Sequence, residues 1–441
     1  MDIQNFSALF NTPARREAFL KLIKDNKTKH IFIQGLEGSS IALFFSNLLE
    51  HKQAHIIIAN DLDEAGYLYN DLVQINGNDH ILLFPSGYKR DIKYGQPDPP
   101  SEILRTEVLN RLCQKGESLL IVTYPEAIAE KVVPVNMLSE QTLHIDKNSK
   151  CDIITLSDKL RERGFEEVDY VYEPGQFAVR GSILDVFSYT NELPYRIDFF
   201  GKEVESIRTF EVETQLSTGK LEEVYIVANV CGQEASGISI LDFIDKNTIL
   251  ICHNLSWVID RISAIASESL SEQTLIAEEG DRYAMQKIID VTAFQKKITT
   301  FRRIDYGTSS EANAPAVIRF NCAPQGVYHK NFDLVSQSFS QFIEKGYTLY
   351  ILSDSEKQIE RLQAIFEERG DSISFTPVLK TLHEGFIDND LKIGCFTDHQ
   401  IFDRFHKYTL KSEHARSGKL ALSLKELNQI EVGDYIVHVD H

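Results

Sequence analysis

The forty residues 169–208, DYVYEPGQFAVRGSILDVFSYTNELPYRIDFFGKEVESIR, constrain the fold more than any other stretch. Apolar and polar residues alternate in short runs at 168–172, 177–187, 195–200 and 203–210, the period-2 pattern of strands buried on one side. Between the runs stand Pro174-Gly175, Thr190-Asn191 and Gly201-Lys202, residue types that supply the backbone geometry of tight turns. The pattern predicts a small antiparallel meander. Inside the second run Arg180 and Gly181 interrupt the alternation, with Phe187, Tyr189 and Tyr195 nearby. A strand arginine is commonly solvated and strand aromatics are commonly core, whereas an exposed arginine beside aromatics is the make-up of a protein-binding hot spot. The residues alone leave both readings open.

The chain has 441 residues, enough for about three domains with cores of their own. With 43% hydrophobic and 25% charged residues it reads as globular. Its 46 basic against 65 acidic side chains, net −19, argue against broad binding of a phosphate backbone, which needs clustered Lys and Arg. The six cysteines are spread without a CxxC pair, so neither a zinc pattern nor a disulfide framework is expected. Free thiols, the absence of a signal-peptide pattern at the start and the lack of any run of about 18 apolar residues predict a cytoplasmic chain with no membrane partner.

In the first third, the apolar run Ile31, Phe32, Ile33 leads to Gly35, and helical periodicity resumes at Ala42. Strand, glycine turn and helix are the setting of a phosphate-binding loop. Laid on GxxxxGK[ST], the loop GLEGSSIA keeps Gly35 and has a further glycine at Gly38. Ser39 follows, Ser40 stands at the second glycine position, Ile41 at the lysine and Ala42 at the magnesium hydroxyl. A working loop needs that lysine to offset phosphate charge and that hydroxyl to hold the cation. Glu37 would add repulsion. Two readings follow: a nucleotide-binding scaffold that has lost its ligand, or an ordinary strand-to-helix turn. At the end of a later strand, 248–252, an NTPase would carry an acidic pair, and here His253 and Asn254 follow. No catalytic constellation, metal-ligand spacing or cofactor is expected. Alternating strands and helices through 55–123 predict a parallel sheet with helical faces. A second strand-helix series from 316 to 377 predicts another α/β domain.

The segments EPGQFAVRGSILDVF and ELPYRIDFFGKEVESIRTFEVETQLS resemble the second domain, and its exit, of the bacterial transcription-repair coupling factor family, also called Mfd, a domain shared with the excision-repair subunit UvrB. The resemblance implies a multidomain α/β protein. It has a degenerate P-loop-like parallel-sheet domain, 1–125, completed by 211–313 and interrupted by a small antiparallel β-rich domain, 126–210. A second α/β domain, 314–420, serves as a spacer, and 421–441 would be the start of an RNA-polymerase-interacting domain. In the family, domain 2 docks the repair protein UvrA. By that resemblance Arg180 and Gly181 form the RG pair used for docking, Phe187 closes the same strand, and Phe177 lies on it. Two departures weaken the carry-over: Ala178 stands where UvrB has a further arginine, and Glu166 and Glu167 stand where relatives often carry a basic residue. The resemblance also favours the lost-ligand reading of Gly35 to Ala42, hence no ATPase activity in this portion. The segment 86–102, with only Tyr88 and Tyr94, is too short to act as a DNA-prying hairpin. RNA polymerase, DNA and a masking contact with the motor end are expected only through parts that this chain lacks. The alternatives are a divergent DNA-dependent ATPase or helicase module and a UvrB-like binder of damaged DNA.

Overall fold

The computed structural model describes residues 1–25, 27–87, 98–114, 116–147, 149–191, 193–228, 237–273, 288–307 and 316–406. These form a multidomain α/β protein whose contacts divide it into two compact units. One gathers Met1–Ser86, Gln114–Val132 and Ile238–Thr409, and the other includes Gly87–Cys113 and Val133–Gly237.

The first unit is built on two sheets. The larger has seven strands, all parallel, in the order Ala316–Arg319, His30–Gln34, Arg302–Gly307, Ile249–Cys252, Ala54–Ile58, Leu119–Thr123, Ile81–Leu83. Its central strands are near-continuous apolar runs such as LLIVT, as parallel strands covered on both faces must be. Helix Leu62–Asn76 covers one side. Asp61 caps its start by accepting from the Glu64 amide, and Gly77, at φ +80, ends it. Strands on either side of the second unit in sequence, Leu119–Thr123 and Ile249–Cys252, belong to this one sheet. The strand Ala316–Arg319, read from sequence as the first of the later series, instead pairs with His30–Gln34 at the sheet edge.

The smaller sheet is mixed, in the order Cys322–Pro324, Phe386–Asp388, Ile393–Thr397, Thr348–Leu352, Thr376–Val378. An aromatic seam joins it to the larger sheet through helix Ile3–Phe10: Phe6 lies 5.1 Å from Tyr350, Phe10 lies 5.3 Å from Phe386, and Phe44 meets Phe320 edge-on at 4.8 Å. Such pairs add to the area they bury. Beside the seam, Arg15 Nη1 donates to the fully buried Asp388 at 2.6 Å, and the amides of Asp390 and Leu391 donate to the other oxygen of the same carboxylate at 3.0 Å.

The second unit carries a six-stranded sheet in the order Ser217–Leu221, Glu203–Phe210, Tyr195–Phe200, Ile183–Val186, Gln176–Arg180, Glu166–Glu167, antiparallel except at the last pair. Thr142–Asp146 pairs with Glu223–Val227 in a separate ribbon. Two details differ from the sequence reading. The run 177–187 is not one strand. It folds back at Gly181 and Ser182, so that Arg180 faces Ile183, and Gly181, at φ +64, takes the first position of a two-residue hairpin loop. The run 168–172 is not a strand either. The Gln176 side chain accepts from the Tyr172 and Glu173 amides at 2.9 and 3.0 Å and holds this segment as a turn. Helix Pro99–Cys113 starts on a proline, and the Ser101 hydroxyl donates to Asp98.

Replacing Arg15 by Ala leaves the Asp388 carboxylate buried without its cation, and the expected cost is about 3 kcal/mol. Denaturant unfolding of the variant measures it, and a loss below about 1 kcal/mol would show that water reaches the carboxylate.

Candidate docking face and a vestigial phosphate loop

In the six-stranded sheet, alternation sends Phe177, Leu184, Val186, Tyr195, Ile197, Phe199, Val204 and Ile207 to one face, where they pack with Leu156 and Leu160 of helix Ile153–Glu162. The opposite face is a field of charges in cross-strand rows. Ala178, Asp185, Arg196 and Arg208 stand opposite one another in one row, and Arg180, Ile183, Asp198 and Ser206 in the next. Arg196 and Arg208 are directly opposed like charges, an arrangement that costs energy unless neutralised. Asp185, fully buried, neutralises the first by accepting from Arg196 Nε at 2.8 Å and Nη2 at 2.9 Å. Asp198 accepts from Arg208 and, at 2.6 Å, from Ser206 Oγ.

Arg180 also donates to Asp185, and its guanidinium lies 4.9 Å from the centre of the Tyr170 ring. The arginine is therefore neither free in solvent nor part of the core. It is fixed by one charge and one ring, with a third of its side chain open. Around it Tyr170 and Tyr172 are exposed. Phe200, two residues past Asp198 on the same face and opposite the bend at Gly181, is 79% exposed. Sequence reasoning passed over Tyr170 and Phe200. The signal was present in DFFGKE, where alternation can bury only one of two adjacent phenylalanines. The expectation for Phe177 and Phe187 needs correction: both are buried, Phe177 in the main core and Phe187 against Val171, Ala178 and Phe210, so neither offers contact surface.

The loop of the larger sheet needs its glycines, but for its own chain. Gly35 has φ +82, and a Cβ there would stand 2.2 Å from the Phe320 carbonyl oxygen. Gly38 has φ +53, and a Cβ there would stand 2.8 Å from the Gly385 carbonyl oxygen. The amides that such a loop would turn to phosphate are engaged. Glu37 N–H donates to Ser40 Oγ at 2.9 Å, Ser40 N–H to the Glu37 carbonyl at 3.2 Å, and Ile41 N–H to the Gly38 carbonyl at 3.3 Å. Ser39 N–H donates to the Glu384 carbonyl at 3.2 Å. Ala42 is buried. A cavity of about 360 Å³ opens beside the loop, and Glu37, Glu64, Asp71 and Glu384 contribute to its lining. Among the described residues no lysine or arginine lines it. Of the two residues that follow strand Ile249–Cys252, His253 meets Tyr306 edge-on at 5.5 Å, and Asn254 accepts from the Trp257 amide at 3.0 Å at the start of a helix. Among the described residues no group of three or more His, Cys, Asp or Glu is placed to hold a metal ion, and no helix is long and apolar enough to cross a membrane.

Asp71 is fully buried, and burial pushes its pKa up to about 7 against the pull of hydrogen bonds from Ser39 and the His383 amide, with Glu384 adding repulsion. Burial holds His383 and His399 down to about 4.

Residues 143–230 match the family model described as the UvrB interaction domain. The matched residues lie within the second unit. The chain is 23% identical to the transcription-repair-coupling factor of Staphylococcus aureus (strain MRSA252) over 93% of its length, and 21% identical to that of Staphylococcus epidermidis over 94%. The likeness to transcription-repair coupling factors read from the sequence therefore stands, and the chain spans 41% of the length of these relatives.

A carboxyl group that binds its proton more tightly folded than unfolded favours folding below its unfolded pKa, and the gain drains away as pH rises through the folded value. Asp71 should therefore lose its stabilising effect from about pH 4 to about pH 7, with Glu384, Glu37 and Cys395 as its ionisable neighbours. The buried histidines act oppositely, their contribution being complete above about 6.5 and lost toward about 4. The unfolding midpoint of the parent, taken relative to Asp71→Asn, isolates the aspartate and should fall between pH 5 and 7.5. A difference that stays flat across that window would remove Asp71 from the account.

Proposed function

We propose that this chain is the UvrB-like portion of a transcription-repair coupling factor, that its second unit captures UvrA for nucleotide excision repair at stalled transcription, and that it hydrolyses no ATP itself. The observation that carries the reading is the match of 143–230 to the UvrB interaction domain on a sheet whose outer face offers Arg180 framed by Tyr170 and Phe200. Arginine and aromatic residues are the types that dominate protein-binding hot spots. The face is locally pre-organised, because Asp185 is shared between Arg180 and Arg196, and little side-chain freedom remains to be lost on docking. Gly181 keeps the hairpin tight enough for Arg180 and Phe200 to flank it.

The absence of ATPase activity is supported by the acidic cavity and the engaged loop amides, both hostile to a triphosphate. Contacts with RNA polymerase and DNA, and masking of the docking face by the motor, belong in this proposal to parts of the family's proteins outside this chain. A cytoplasmic location follows from the same reading.

Capture of purified UvrA by this chain, followed by calorimetry or a pull-down, tests the docking assignment. Arg180→Glu should weaken binding at least about tenfold, with the unfolding midpoint little changed because Arg196 still meets Asp185. Tyr170→Ala should weaken it less, and undiminished capture by both variants would move the docking face elsewhere. For the rival reading, a divergent ATPase, titration with millimolar Mg-ATP is expected to show no binding, and saturable binding would revive it.

A further inference from the structure

The contact between the vestigial loop and residues 383–385 is built from backbone as much as from side chains. Asp71 Oδ1 accepts the His383 amide at 2.7 Å, and Asp71 Oδ2 accepts the Ser39 hydroxyl at 2.5 Å. Ser39 Oγ in turn accepts the Glu384 amide at 2.9 Å, while the Ser39 amide donates to the Glu384 carbonyl at 3.2 Å. The ring is closed: each donor meets an acceptor, and Asp71 and Ser39 are both buried.

Three further features hold the segment in place. Tyr67 stacks on the His383 ring at 3.4 Å, and its hydroxyl donates to the His406 carbonyl at 3.1 Å. His399 Nε2 lies 2.8 Å from the His383 carbonyl oxygen. Gly38 permits the approach, since a Cβ there would stand 2.8 Å from the Gly385 carbonyl oxygen. The partners are far apart in sequence, 312 residues between Asp71 and His383 and 345 between Ser39 and Glu384, so this is tertiary construction and not a local turn.

We propose that the former phosphate loop is an intramolecular socket, with the backbone of 383–385 as its permanent occupant. Asp71 and Ser39 are its gripping residues. The socket locks the mixed sheet to the parallel sheet in one arrangement that nucleotide does not open. In GTPases, switch segments ordered by the γ-phosphate and its magnesium are released on hydrolysis. Here the chain supplies both halves, so the closed state is its resting state. Because the grip is on amides, the side chains at 383 and 384 matter less than the two residues that receive them.

Amide hydrogen exchange on the whole chain tests this directly, since the His383 and Glu384 amides are themselves the bonded donors. Asp71→Ala should speed exchange at 383 and 384 by about tenfold or more while the strand Ile393–Thr397 stays protected. Ser39→Ala should do so chiefly at 384. His383→Ala should leave the Glu384 amide slow. Millimolar Mg-ATP should change none of these rates. If Asp71→Ala prevents folding, Ser39→Ala carries the test, because Asp71→Asn would keep an oxygen acceptor for the His383 amide. Exchange at 383 and 384 that is fast in the parent, or unmoved in the folded Asp71 and Ser39 variants, would overturn the socket. So would acceleration by ATP. These outcomes are read without UvrA, so they do not depend on the docking assignment.

Discussion

A carboxylate taken out of water must be met by donors, and that constraint organises both units of the chain. Asp185, Asp388 and Asp71 are each buried, and each is met in a different way. Asp185 sits at the centre of the outer sheet face and draws two arginines onto it. Asp388 pins Arg15 beside an aromatic seam, and backbone amides complete its shell. Asp71 takes a hydroxyl and an amide but no cation, which is why burial moves its titration so far from that of an ordinary aspartate.

The two candidate sites differ in what their charges do. On the outer face the acids stand among arginines, so they orient positive groups and leave an aromatic and cationic rim exposed. Such a surface suits capture of another protein. Beside the loop the acids stand among themselves, with aromatic rings and with His383 kept neutral by burial. Such a cavity repels phosphate. The strand, glycine turn and helix of the parallel sheet are there, and the turn bonds to the backbone just before the mixed sheet's strand Phe386–Asp388.

Much of this was legible in the chain as letters. The alternation in 195–210 gave two strands whose limits hold, the run 55–123 gave a parallel sheet, and Ile41 and Ala42 were seen to stand where a phosphate loop has its lysine and hydroxyl. The turn glycines were readable because positive φ leaves few other residues possible. Less was legible in 177–187. A continuous alternating run looks the same whether it stays straight or folds back, and only the pairing of Arg180 with Ile183 distinguishes the two. Phe177 and Phe187 entered as docking residues through the resemblance, which carries over residue type but not burial, and both are interior.

By itself, then, the sequence determined local matters: most of the strands and helices, which residues stand at the loop's lysine and hydroxyl positions, and which family the middle of the chain resembles. These follow from period, turn residues and residue type, all of which act over a few positions. Tertiary structure alone decided that Ala316–Arg319 joins the first sheet, that Asp185 is shared by two arginines and Arg180 stacked on Tyr170, that Phe200 is bare, and that residues 383 and 384 bond to Asp71 and Ser39. Each of those depends on atoms brought together from distant positions, and no spacing along the chain records which buried donor will find which buried acceptor.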